Sequence, residues 1–239
     1  ISNSIRLMDG AVNNSYSNID YGVGVRVLTG DQSGYAYVEN ITVEDMLKAA
    51  RTAARIASAN KGNKPLNLTE KELKKNYYTV ASPWEEVSLK DKMPYLQKLN
   101  DRIFALDKRV HKVQASQSDT TSHIFFCNSE GVMFYDYRPM VTLGAVCIME
   151  EDGKTENGYA ARAYRRGFDF LSDEVVDVIA REAVDQTSLL FKAIKPKGGE
   201  MPVVMGAGGS GILLHEAIGH TFEADFNRKN VSIFADQLN

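Results

Sequence analysis

Apolar and polar residues alternate along the first forty positions, the period of strands with one buried face. Ser4 to Met8, the segment after the Met8-Asp9-Gly10 turn, Tyr21 to Val27 and Gly34 to Val38 read as four strands. Thr29-Gly30-Asp31-Gln32-Ser33-Gly34 joins the last two as a hairpin, because its glycines accept the backbone conformations a tight turn imposes. The period then changes. From Val43 to Asn60, residues Met46, Ala49, Ala50, Ala53, Ile56 and Ala57 recur at helical spacing, with Thr42 as N-cap and Asp45 in the first turn. Lys61 to Trp84 is polar around a TEKELKKN segment, a short helix or a connection that Pro83 ends. A second helix runs to about Asp107 with Met93, Leu96, Leu99, Ile103 and Leu106 inward. Ser88 or Asp91 caps it, and Pro94 favours the later start, since proline sits best in a first turn.

From Arg109 the alternation returns over 110–118, 122–129, 132–137, 141–150 and 158–164, followed by a helix from Asp173 to Ala193 capped by Ser172. This order repeats the first sixty residues. Tyr21-Gly22-Val23-Gly24-Val25 and Val141-Thr142-Leu143-Gly144-Ala145-Val146 hold equivalent places, as do Ser33-Gly34-Tyr35-Ala36 and Asn157-Gly158-Tyr159-Ala160. The pattern predicts an α+β fold: a mostly antiparallel sheet with helices packed on it, built from a duplicated ββββα unit. Gly22 and Gly24, on alternate positions, leave one strand face nearly bare, which we read as close packing rather than access for a peptide. Lys195-Pro196-Lys197-Gly198-Gly199 is a linker between an N-terminal domain, 1–194, and the incomplete beginning of a second domain, 195–239.

Composition narrows the function. With 239 residues, 44% of them hydrophobic, the chain can bury a sizeable core. A net charge of -3 argues against a non-specific nucleic-acid binder, and the local cluster Arg162, Arg165 and Arg166 reads as a solvated edge. No apolar run approaches the ~20 residues that span a bilayer, and no charged-then-apolar leader opens the sequence, so a cytoplasmic chain is expected. Cys127 and Cys147 lie in strand-like apolar runs and are expected to be buried free thiols in a reducing compartment. His111 and His123 also fall in strands and are assigned to no site.

The chemistry gathers between Met201 and Asn227. An apolar run, Pro202 to Met205, predicts a buried strand; Gly206 to Gly211 predicts a turn; and Ile212, Leu213, Leu214, Ala217, Ile218 and Phe222 predict an apolar helical face. Two chemistries compete for it. Gly206, Gly208 and Gly211 satisfy G-x-G-x-x-G, where backbone N–H groups and a helix N-terminus hold a pyrophosphate, with Val231 to Asp236 as the second strand and its acid. Alternatively His215, Glu216 and His220 form His-Glu-x-x-x-His, two imidazoles for a metal and a carboxylate for a proton. A helix–sheet interface that merely hydrogen-bonds the two histidines also accounts for them. Histidines five apart face about 140° away from each other on a regular α-helix. Sharing one ion therefore requires a π-turn or an early helix break at Ala217 to His220, eased by Gly219. The metal reading is favoured because it uses two of the four histidines, puts a base at Glu216, and lets Gly208, Gly209 and Gly211 admit a substrate backbone. Glu223, three residues after His220, is placed to orient that ring or to serve as a ligand, the first being preferred.

The segment Gly206 to Asn239, with HEAIGHTFEADFNR inside it, resembles the TldD/PmbA family of metallopeptidases, in particular the TldD-type subunit that bears HExxxH where its PmbA-type partner does not. Asp20 to Arg26, Gly34 to Tyr37, Glu150 to Lys154 and Met201 to Val204 follow the family's pattern in its order. The resemblance implies His215 and His220 as zinc ligands and Glu216 as the catalytic base or acid acting on water. It implies a third ligand, a cysteine, beyond Asn239, so the chain reads as a portion of a longer enzyme. The implied activity is zinc-dependent hydrolysis of small or unfolded peptides held extended in a groove, with a PmbA-type partner subunit or as a homo-oligomer. A dinucleotide-binding domain and a non-catalytic regulatory subunit are the alternatives.

Overall fold

The computed structural model describes residues 1–58, 67–71, 77–78 and 80–237. It divides into two compact units, Ile1–Ala193 and Ile194–Asn239. The first is α+β. Its main sheet contains β1 (Ser2–Met8), β2 (Ala11–Asn18), β5 (Thr69–Glu70), β6 (Val110–Cys127), β7 (Val132–Glu151) and β8 (Lys154–Tyr164). The order β2-β1-β6-β7 is antiparallel throughout; β7 pairs with β8 from Val141 onward, and with β5 in parallel at Val132 and Met133. Two helices, α2 (Leu89–Leu106) and α3 (Asp173–Leu190), bury Leu96, Leu99, Ile103, Val176, Ile179 and Ala183 with Ile5, Leu7, Val113, Leu143 and Met149 of the sheet.

β6 and β7 each run unbroken where the pattern predicted two strands apiece. The polar stretch of β6 is responsible, because its inward side chains are paired rather than solvated. Asp119 takes hydrogen bonds from Lys92 Nζ (2.6 Å), Asn3 Nδ2 (2.8 Å) and Gln117 Nε2 (2.9 Å). Lys92 and Asp119 are 3% and 1% exposed, so this is a buried ion pair that holds α2 to the sheet. Pro139 sits in β7 between the stretches paired with β5 and β8, where, among the described residues, one edge has no neighbour and a missing N–H is tolerated.

The start of α2 also departs from expectation. Asp91 accepts from the Ser88 N–H (3.0 Å) and hydroxyl (2.6 Å), so Ser88 is the cap and Pro94 lies inside the helix. Capping satisfies first-turn donors, which outweighs the one backbone bond the proline forgoes. The helix α1 (Val43–Ile56) is capped by Thr42 as predicted but ends at Ile56, short of the expected Asn60, with Ala57 as its C-cap and Ser58 at positive φ; most of TEKELKKN lies outside the described residues. Cys147 is buried, whereas Cys127, near the end of the β6–β7 pair, is exposed, contrary to expectation.

The ββββα repeat is not reproduced. Among the described residues β3 (Val23–Thr29) and β4 (Gln32–Val38) pair only with each other, in a separate sheet that α1 covers. What repeats is a shorter ββα unit, β3-β4-α1 against β7-β8-α3, and its register is matched residue for residue. Gly34 pairs with Val27 and Gly158 with Cys147, each three residues beyond Gly24 and Gly144. A Cβ on Gly34 would strike the backbone of Ala53 and Ala57, and one on Gly158 the backbone of Ala183 and Thr187. Ala53 and Ala183 are each the eleventh residue of their helix. Tyr35 and Tyr159 then fill the space above Gly24 and Gly144. These glycines serve packing.

The second unit contains α4 (Gly209–Ile218), a 3₁₀ turn at Gly219–Phe222, α5 (Ala224–Arg228) and a further 3₁₀ turn at Ala235–Gln237. Pro202 to Met205 and Val231 to Asp236 form no strand, contrary to expectation, since among the described residues neither finds a neighbouring backbone with which to share a ladder. Among the described residues no helix is long and apolar enough to cross a membrane.

Candidate metal centre

The glycine turn sets the start of α4. Gly208 has φ +122°, a conformation side chains resist, and the Gly211 N–H closes onto the Gly208 carbonyl at 3.0 Å. A Cβ on Gly206, Gly208, Gly209 or Gly211 would meet nothing within 4 Å, so the turn stands open one helical turn before His215. The dinucleotide reading fails here. It requires strands on either side of the glycine turn and helix, and neither Pro202–Met205 nor Val231–Asp236 supplies one. Asp236 lies in a 3₁₀ turn, not at a strand end.

The helix breaks where the sharing of one ion by His215 and His220 would require it. α4 stops at Ile218, whose φ of -135° leaves the helical region, and the chain tightens into the 3₁₀ turn that carries His220. The distortion is an early break rather than a full π-turn. A trace of the wider spacing remains in the Gly219 N–H, which is shared between the carbonyls of His215 and Leu214, four and five residues back. The break brings the imidazole centroids of His215 and His220 to 4.3 Å, with the planes 60° apart.

One potential ligand atom from each of His215, Glu216 and His220 lies within 4.8 Å of the others, and all three residues are exposed. Among the described residues this is the only such group of three or more histidine, cysteine or acidic side chains. His220 Nε2 is 3.6 Å from Glu216 Oε2, and His220 Nδ1 is 2.5 Å from Glu223 Oε1. Glu223 therefore fixes which ring nitrogen faces Glu216. Its hydrogen bond raises the His220 pKa above the ordinary histidine value against the opposing effect of desolvation, with its own charge and that of Glu216 adding to the rise. Gly219 is needed for space: a Cβ there would sit 2.8 Å from His215 Nδ1. Two imidazole nitrogens suit zinc or a similar borderline cation, and the Glu216 carboxylate lies beside them within reach of a proton.

Sequence reasoning missed Asn227. Its amide donates to the carbonyls of Thr221 and Glu223, both at 2.9 Å, and Ser232 Oγ donates to Thr221 O at 2.6 Å. The signal was present in the ADFNR segment, but a downstream asparagine bonded to backbone has no spacing rule by which to be found. His111 and His123 lie in β6, where His123 contacts Tyr135 Oη (2.6 Å) and Glu85 Oε1 (2.9 Å).

Two family models match: residues 1–57 correspond to PmbA/TldA metallopeptidase domain 1, and residues 82–191 to the PmbA/TldA metallopeptidase central domain. The metalloprotease TldD homologue of Haemophilus influenzae is 35% identical over 97% of this chain and 49% of its own length. That of Buchnera aphidicola from Acyrthosiphon pisum is 33% identical over 92% of this chain and 47% of its own. The chain thus spans about half the length of these curated relatives. Two crystal structures share the fold: a proposed modulator of a DNA gyrase from Thermotoga maritima (TM-score 0.59, 18% identity, 83% of this chain and 44% of that one) and TldE from Thermococcus kodakarensis (TM-score 0.53, 18% identity, 78% and 42%).

Proposed function

We propose, because this chain belongs to the PmbA/TldD family of metallopeptidases, that it carries the metal-binding helix of a zinc-dependent peptidase. The observation that supports this most strongly is the helix break at Ile218, which brings together two imidazoles that a regular helix would hold apart. His215 and His220 are the residues that would hold the ion. When bound, it supplies Lewis acidity and lowers the pKa of water at the site. Glu216 is the proton acceptor, free to pass the proton on to the leaving amine. Glu223 holds His220 in the tautomer that presents Nε2.

The substrate is a small or unfolded peptide. The open glycine turn at Gly208, Gly209 and Gly211 gives a peptide backbone unobstructed approach, and extended binding through main-chain hydrogen bonds tolerates many sequences. A PmbA-type subunit is the proposed partner, a homo-oligomer the alternative, and the fold shared with a TldE protein supports the first. Two free cysteines suit a reducing compartment, the cytoplasm. A non-catalytic regulatory role makes a different prediction for Glu216→Gln in the full-length protein. An enzyme should lose about 10²–10⁴-fold in peptide hydrolysis with its metal content intact. Hydrolysis unchanged by the substitution would overturn the role of Glu216 as proton acceptor, and no hydrolysis by the wild-type protein would leave the regulatory role.

A further inference from the structure

We infer that Asn227 is a positioning residue for the proposed metal centre, holding the Gly219–Phe222 turn in the shape that directs His220 toward His215. The inference rests on the reading of His215 and His220 as ligands.

A four-residue 3₁₀ turn on an exposed surface has little intrinsic stability, because its hydrogen-bond geometry is poorer than that of an α-helix. Something must hold it. Asn227 uses both amide protons, one on Thr221 O and one on Glu223 O, so it spans the end of the turn like a staple. Two carbonyl acceptors also fix the orientation of the amide, since the NH₂ must face them. The segment that follows folds back to strengthen the same point. Val231 and Ser232 N–H both donate to Phe226 O (2.9 and 3.3 Å), Ser232 Oγ adds a second bond to Thr221 O, and Phe234 stacks on Phe222 with centroids 5.0 Å apart.

Burial shows that this arrangement is specific. Asn227 is 6% exposed and is the only buried residue among the described residues from 194 onward. Its Oδ1 is buried without a hydrogen-bond partner. Leaving a buried acceptor unpaired is unfavourable, so the amide is a poor choice for stability alone. It is well suited to gripping two carbonyls, and Glu223, whose carbonyl it grips, is the residue that orients His220. The path from Asn227 to the ring is therefore two contacts long.

The test uses the full-length protein, wild type and Asn227→Leu, Ser232→Ala and His220→Ala. Zinc affinity is read by competition with a chromophoric chelator, the ligand field by the visible spectrum of the cobalt(II) form, and folding by thermal melting without metal. Leucine keeps the bulk and removes the donors. Asn227→Leu should bind zinc about 10- to 100-fold more weakly and shift the cobalt bands, with the metal-free melt of the first unit unchanged. Ser232→Ala, which leaves Asn227 in place, should shift the bands in the same direction with about a 3-fold weaker affinity. If His220→Ala abolishes binding while Asn227→Leu and Ser232→Ala bind like wild type with unaltered spectra, the positioning role is wrong and the ligand reading stands. Were His220→Ala itself to bind zinc like wild type, both would fall together. Should Asn227→Leu not fold, Ser232→Ala decides alone.

Discussion

Replacing Gly219 by alanine separates the stability of α4 from the geometry of the proposed metal centre. Gly219 has φ -57° and ψ -47°, ordinary helical values, so alanine meets no backbone strain there. Helix propensity favours alanine over glycine by about 1 kcal/mol. The obstacle is the new methyl group, which would sit 2.8 Å from His215 Nδ1 and 3.3 Å from Cγ. Ordinary carbon–nitrogen contact needs about 3.5 Å, so the ring must swing by more than half an ångström or leave its rotamer. An off-rotamer side chain costs ~0.5–1.5 kcal/mol, which converts to an affinity loss of about 2- to 13-fold. That loss appears only when an ion requires both rings where they now lie, 4.3 Å apart. Gly219→Ala in the full-length protein should thus melt at the same or a slightly higher temperature without metal, and bind zinc more weakly in a chelator competition. Zinc binding equal to or tighter than wild type would refute the reasoning, because it would mean that His215 can move aside without consequence.

Gly158→Ala places a methyl 2.6 Å from Thr187 Oγ1 and should destabilise the first unit by about 1–3 kcal/mol in thermal or urea unfolding; Gly34→Ala should act alike if the ββα repeat is real, and a neutral result at either would break the equivalence. Lys92→Met strands the buried Asp119 carboxylate and should cost about 3–5 kcal/mol, while Lys92→Met with Asp119→Leu should recover most of it; a double variant as unstable as the single one would show that the pair contributes more than charge balance. The Asp107 carboxyl is held below its ordinary pKa chiefly by the Arg109 guanidinium, with which it pairs at 2.6 Å. A depressed folded pKa gives stability that is present above the unfolded value and lost as pH falls through the folded one. Asp107→Asn should therefore lower the melting point at neutral pH and flatten its decline below about pH 4; an unchanged acid limb would place that dependence elsewhere.

The sequence was readable where one signal stood alone. Thr42 and Ser172 mark helix starts because an N-cap needs only its own side chain and the next turn, and both accept the bond expected of them, Thr42 from the Asp45 N–H and Ser172 from the Val175 N–H. It failed where two signals competed or where a partner lay far along the chain. Pro94 and the Ser88–Asp91 box pointed to different starts, and the box prevailed. Asp119 to Thr121 looked like a break in β6 because the residue that neutralises Asp119, Lys92, is 27 positions away. Pro202 to Met205 looked like a strand because hydropathy records burial tendency and says nothing of a pairing edge. At the proposed metal centre the five-residue spacing led to a distorted helix if one ion is shared, yet the form, an early break into a 3₁₀ turn, follows from contacts with Asn227 that no spacing rule encodes.

The account turns on one ion shared between His215 and His220. Crystals of the full-length protein grown with zinc, with data collected on both sides of the zinc absorption edge, test it directly. The account predicts an anomalous peak between the two imidazoles, about 2.0–2.1 Å from one nitrogen of each, with Glu223 still bonded to His220 Nδ1. A well-ordered site in which the two rings point apart, with no peak between them, would contradict it.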